Sequence, residues 1–164
     1  MRHVGRRLEL ALERDASGAI YGTIVTASTV VGVAEGVHHL RQIVVTVAAT
    51  LALYAVAHAY SKVLGTSGRR IPSWSAFAHE FAVESPMLTA CVLPLAAMVI
   101  AYLLGASLDL AADVALWSAV VMLFVWGLVA ARKVHGDIAL QLVSAAAYGF
   151  VGLGLVVLRA ATGH

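Results

Sequence analysis

Charged residues make up only 12% of this 164-residue chain, and cysteine occurs once. A soluble domain carries about 25% charged and about 45–50% apolar residues, so a chain that is 61% apolar with a mean hydropathy of +0.89 falls outside that class. The single cysteine, Cys91, excludes a disulfide framework, and its place inside an apolar run makes it a small packing residue. There is no nucleophile motif, no phosphate-binding glycine loop and no cysteine-histidine metal signature, so neither an enzyme nor a resident cofactor is expected. A net charge of +2 and a pI near 8.9 do not point to nucleic acid, because in a membrane chain an excess of basic residues encodes orientation. No low-complexity tract and no half-chain repeat is present.

What the chain does have is long apolar runs, and about 20 such residues are needed to cross a bilayer as a helix. Five qualify, over residues 18–37, 43–64, 86–105, 112–131 and 138–158, which predicts an all-α, single-domain membrane protein with five transmembrane helices. Arg2, Arg6, Arg7, Arg14, Lys62, Arg69, Arg70, Arg132 and Lys133 fall on one side of these spans, against Arg41 and Arg159 on the other. This bias places the N-terminus in the cytoplasm and the C-terminus outside, in a multi-pass protein of the cell membrane. Residues 1–16 have Val4, Leu8, Ala11 and Leu12 on one helical face and read as a cytoplasmic amphipathic helix on the membrane surface. Residues 66–85 form a cytoplasmic linker, in which Ser73 or Ser75 caps a short helix with Trp74, Phe77 and Phe81 on one side, suited to the headgroup layer. Pro86 opens the third span and Pro94 bends it.

Helical spacing separates two stripes on the first span. Gly18, Gly22, Val25, Thr29, Gly32 and Gly36 form a strip of mostly small residues that lets another helix approach closely, either a neighbouring span or a partner subunit. Beside it lie Ser17, Tyr21, Ser28, Glu35 and His39. Matching polar faces occur on the second span, with Thr46, Thr50, Tyr54, His58 and Ser61, and on the fifth, with Gln141, Ser144, Tyr148 and Arg159. Polar groups in a bilayer need partners or water, so these faces are expected to look inward. Interhelical hydrogen bonding accounts for the serines and threonines. A polar permeation path through Tyr21, Ser28, Tyr54, His58 and Tyr148 is the alternative, with His58 as its proton-carrying member.

Metal ligation has two weak candidate groups. Glu35, His38 and His39 sit at i, i+3 and i+4, a spacing used in di-iron bundles, but a second such motif is missing; His79, Glu80 and Glu84 share the short linker helix. The first group reads more simply as an interfacial cluster with Glu35 paired to Arg41 or His39, and the second as a solvated polar face. Asp109 and Asp113 flank the start of the fourth span, where acidic residues favour a helix N-terminus.

The segment from Arg14-Asp15 through Gly18-Ala19-Ile20-Tyr21-Gly22 to Val31-Gly32-Val33-Ala34 resembles the first helix of the vacuolar iron transporter family. Phe124 to Gly136, then Ser144 to Tyr148 with Gly152, is similar to that family's fourth and fifth spans. The resemblance implies five spans, a cytoplasmic N-terminus, a cytoplasmic element between the second and third spans, and a homodimer. It also marks two departures: Tyr21 stands where the family has its metal-binding aspartate, and Ala59, in His58-Ala59-Tyr60-Ser61, where it has a glutamate. A hard divalent ion needs several oxygen ligands, preferably carboxylates, which these residues do not supply. The resulting expectation is a homodimer in the lipid bilayer, packed along Gly18, Gly22, Gly32 and Gly36, that moves a proton, a divalent cation or a small solute. The alternative is a non-transporting anchor or accessory subunit on the same scaffold.

Overall fold

The computed structural model describes residues 2–34, 36–67, 73–134 and 136–162, with side chains for all of these except 2–15, 66, 67, 133, 134 and 162. Seven helices follow one another: α1 (Arg2–Ala34), α2 (Leu40–Ser67), α3 (Trp74–Val83), α4 (Ser85–Thr89), α5 (Val92–Leu103), α6 (Leu108–Val134) and α7 (Ile138–Thr162). Among the described residues five stretches are long and apolar enough to cross a membrane: Ala16–Ala34, Leu40–Gly65, Ser85–Leu103, Leu108–Arg132 and Ile138–Ala161. This is a helical, multi-pass architecture, and each expected span is present. The largest shift is at the fourth, which starts at Leu108 rather than 112 because Ser107 caps it, accepting the Leu110 N–H on its Oγ at 3.2 Å.

Two elements differ from expectation in detail. The backbone of α1 is unbroken from Arg2 to Ala34, so residues 2–16 are helical and run without a break into the first span. No proline interrupts it, and Arg14-Asp15-Ala16-Ser17 offers no strong break. The side chains of its Arg2, Arg6, Arg7 and Arg14 lie outside the described residues, as do Arg69 and Arg70. The third span is two helices rather than one bent helix. Pro94 has no N–H for the Ala90 carbonyl, so the chain turns at Ala90 and Cys91, one helical turn before the proline. The Cys91 thiol donates to the Leu88 carbonyl at 3.0 Å across this turn. The span then closes at Gly105, whose φ of 94° permits the bond from the Ala106 N–H back to the Ala101 carbonyl at 3.1 Å.

Helix α6 is the central element, packed against α1, α5 and α7. Its buried face is built from Ala111, Ala112, Ala115, Leu116, Ala119 and Leu123. Lipid tails are as apolar as leucine, so helix pairing in a bilayer rests on close van der Waals contact, which short side chains permit. At the α6–α7 seam, a Cβ on Gly152 would lie 3.1 Å from the Val120 Cα, and one on Gly127 would lie 2.8 Å from the Tyr148 ring. Helix α2 is seated by a single stripe in which every fourth residue is buried: Ile43, Val47, Leu51, Ala55, Ala59 and Val63. On α1 the expected interhelical hydrogen bonds are instead made within the helix. Thr23, Thr26, Ser28 and Thr29 donate to the carbonyls of Ala19, Gly22, Ile24 and Val25 at 2.7–2.8 Å, because the carbonyl four residues back is always within reach.

The end of the bundle formed by the start of α6 and the end of α7 is tied by charge. Arg159 donates from Nε to Asp113 Oδ1 at 2.7 Å and from an Nη to Asp109 Oδ1 at 3.4 Å, with its own side chain only 10% exposed. Asp109 and Asp113 are one turn apart, so a single guanidinium spans both. Because the shorter bond carries most of the interaction, Asp113→Asn is expected to cost about 1–3 kcal/mol and Asp109→Asn, at an exposed carboxylate, less than about 1 kcal/mol. Chemical denaturation in detergent micelles measures both.

Candidate functional site

Glycine at the α1–α4 crossing determines what the other end of the bundle can hold. A Cβ on Gly22 would stand 2.2 Å from the Met87 carbonyl oxygen, and one on Gly18 would touch the Met87 N–H and Pro86 at 3.4–3.5 Å. The α4 backbone therefore lies directly on α1, which at Gly22 only a hydrogen on the Cα allows, while a methyl group at Gly18 would make ordinary contact. This part of the small-residue strip is filled by a neighbouring span of the same chain. Gly32 and Gly36, by contrast, have nothing within 4 Å of a built Cβ.

Seating α4 on α1 carries Glu84 inward. Glu84 is the junction residue that ends α3 and begins α4: its N–H bonds to the Glu80 and Phe81 carbonyls, and its own carbonyl accepts from the Met87 N–H at 3.0 Å. Its carboxylate, 7% exposed, is ion-paired through Oε1 with the Lys62 ammonium of α2, and His58 Nε2 lies 3.8 Å from the same oxygen. Tyr54, His58 and Lys62 follow at successive four-residue steps along one face of α2, with the Tyr54 and His58 rings near-parallel at 6.4 Å between centroids. These groups line a cleft of about 350 Å³ together with Ser17, Gly18 and Tyr21 of α1 and Met87 of α4. Lys62 and His58 are 39% and 46% exposed, so the cleft is open while its carboxylate is buried.

Of the expected polar path, Tyr21, Tyr54 and His58 meet in this cleft. Tyr21 also borders a second crevice of about 400 Å³ on its other side, where Tyr148 lies with Ile24 and Ala130. Ser28 joins neither; its hydroxyl is held by the Ile24 carbonyl. The candidate metal ligands do not assemble: among the described residues no three His, Cys, Asp or Glu side chains come together. Glu35 lies outside the described residues, His38 and His39 are exposed in the α1–α2 connection, and His79 is exposed on α3 while Glu84 has turned into the cleft. Ala59, at the position the family resemblance aligns with a glutamate, is fully buried on the packing stripe of α2.

The pairing of Lys62 with Glu84 is the part the sequence pattern did not expose. Lys62 counted there only toward topology, and Glu84 was grouped with its helical neighbours. The available signal was that Lys62 lies one turn beyond His58 on the Tyr54 face. Helix α3, which delivers Glu84, is capped by Ser73, whose Oγ accepts the Ala76 N–H at 3.2 Å. Its exposed Trp74 and half-buried Phe77 and Phe81 form a continuous aromatic row, with centroids 5.4 and 6.2 Å apart, suited to the bilayer interface.

Comparison with known families, with curated proteins and with solved structures finds no match to this chain.

Two stability measurements follow from this geometry. Gly22→Leu forces α4 off α1 and is expected to destabilise the protein by about 1–3 kcal/mol or more, whereas Gly32→Leu is tolerated by the isolated chain; thermal unfolding in detergent compares them. Lys62→Met leaves a buried carboxylate uncompensated, so it is expected to unfold more readily than the Lys62→Met/Glu84→Gln double variant, in which both charges are gone.

Proposed function

We propose that the chain is a small, non-enzymatic transporter of a proton or small solute, related in scaffold to the vacuolar iron transporters but altered in cargo. The observation that carries this reading is the buried Glu84 carboxylate with Lys62 and His58 in an open cleft among membrane helices. Ionisable groups are costly in such a setting and, where present, mark substrate or ion pathways. Tyr21, at the position of the family's metal-binding aspartate, lines the cleft with a phenol in place of a carboxylate. We place the protein in the cell membrane with a cytoplasmic N-terminus, on the strength of its basic-residue bias.

A homodimer is part of the proposal. Tyr21, Ser28, Tyr54 and His58 are all exposed on the outside of the bundle, and Gly32 next to them has open space before it. A second copy covering the α1 and α2 faces would remove these polar groups from lipid and wall the cleft.

One observation favours the non-transporting anchor or accessory subunit. Beyond the cleft the bundle is filled by Val30, Val31, Ile43, Val47 and Leu51, so apolar packing stands between the cleft and the Arg159 end of the bundle. Flux separates the two readings. In proteoliposomes, the transporter shows proton flux or proton-driven solute accumulation that falls at least tenfold in Glu84→Gln and His58→Ala and is unchanged in Ser28→Ala. Absence of flux for protons, manganese, iron and small organic solutes in the folded wild type establishes the anchor.

A further inference from the structure

We infer that the cleft binds a small organic monoanion, such as a monocarboxylate, together with one proton. This rests on the transport reading above and names its cargo. The donor inventory points to an anion. Lys62 supplies three N–H groups, His58 an imidazole, and Tyr21, Tyr54 and Ser17 supply hydroxyls, whereas Glu84 is the one side-chain carboxylate in the lining. A hard divalent cation such as Mg2+ or Ca2+ would find a single carboxylate, already neutralised by Lys62, where it takes about six or more oxygen ligands. An anion finds the ammonium of a lysine whose side chain is 39% exposed, in a cleft also lined by phenols of α1 and α2. A volume of about 350 Å³ suits a small metabolite.

Proton coupling follows from the burial of Glu84. When the ammonium of Lys62 turns to the carboxylate of the ligand, Glu84 loses its counter-charge, and a charged carboxylate that is 7% exposed is strongly disfavoured without one. Glu84 therefore takes up a proton from the aqueous phase, and His58, with Nε2 3.8 Å from the accepting oxygen, is placed to pass it on. Of the other titratable residues on the surrounding elements, Glu80 lies one turn back on α3, and Tyr21 and Tyr54 line the same cleft from α1 and α2. Charge balances in both states with His58 neutral. Empty, the cleft holds Lys62 ammonium and Glu84 carboxylate; loaded, it holds Lys62 ammonium, ligand carboxylate and neutral Glu84. Both sum to zero, so anion and proton move together without net charge.

The test uses the full chain in proteoliposomes with labelled lactate and an internal pH dye, alongside calorimetric titration of lactate and benzoate into the detergent-solubilised protein. An inward proton gradient is expected to drive lactate accumulation, with one proton entering per lactate and no response to a potassium diffusion potential. Glu84→Gln, which mimics the protonated state, is expected to keep lactate exchange while proton-driven accumulation falls at least tenfold. Lys62→Met is expected to abolish both binding and exchange, with Lys62→Arg retaining binding as the folded control. Proton or manganese flux that depends on His58, in a protein that neither binds nor moves either monocarboxylate, overturns the anion assignment and leaves the transport reading standing. Lactate flux that responds to the membrane potential or persists as accumulation in Glu84→Gln overturns the coupling. Absence of flux for every probe overturns both the transport reading and this one.

Discussion

The contact on which the cleft end of the bundle depends is backbone on backbone, where the Met87 carbonyl lies over Gly22. It is possible only because α1 has no side chain at that point, and it sets the depth at which α4 sits. That depth decides where Glu84 goes, since Glu84 is the junction between α3 and α4 and has little freedom once both helices are placed. A side chain at position 22 would move α4 outward, and with it the carboxylate, away from Lys62 and His58. The chemistry of the cleft is thus set by a steric allowance one helix away.

Charge is handled in the same manner at both ends of the bundle. Glu84 is matched by Lys62 at one end, and Arg159 by Asp113 and Asp109 at the other. A bilayer offers no water to a buried charge, so each is either paired or brought to an opening. The two ends differ in consequence. Arg159 is enclosed and its carboxylate partners are the exposed members, an arrangement that ties α7 to α6. At the other end the carboxylate is enclosed, and Lys62 and His58 are its more exposed neighbours.

Much of the local structure was readable from residue pattern. Ser73 capping α3 and the five apolar spans follow from short-range rules, since caps and hydropathy involve residues adjacent in the chain. The small-residue strip on α1 was equally visible, but its use was not: Gly18 and Gly22 receive α4 while Gly32 and Gly36 stay open, and nothing in their spacing distinguishes them. Likewise Ser28 and Tyr21 share a face of α1, yet only Tyr21 lines the cleft, because Ser28 lies about two helical turns farther along α1, where its hydroxyl donates to the Ile24 carbonyl.

By itself, then, the sequence determined the solvent this protein folds in, the number of its spans and the faces on which its polar residues fall. These are properties of composition and of a 3.6-residue period, which need no knowledge of neighbours. Only the tertiary structure decided which polar groups meet. Lys62 and Glu84 are 22 residues apart and belong to different helices, and their pairing depends on how far α4 penetrates toward α1, a distance set by packing against a glycine rather than by either charged residue.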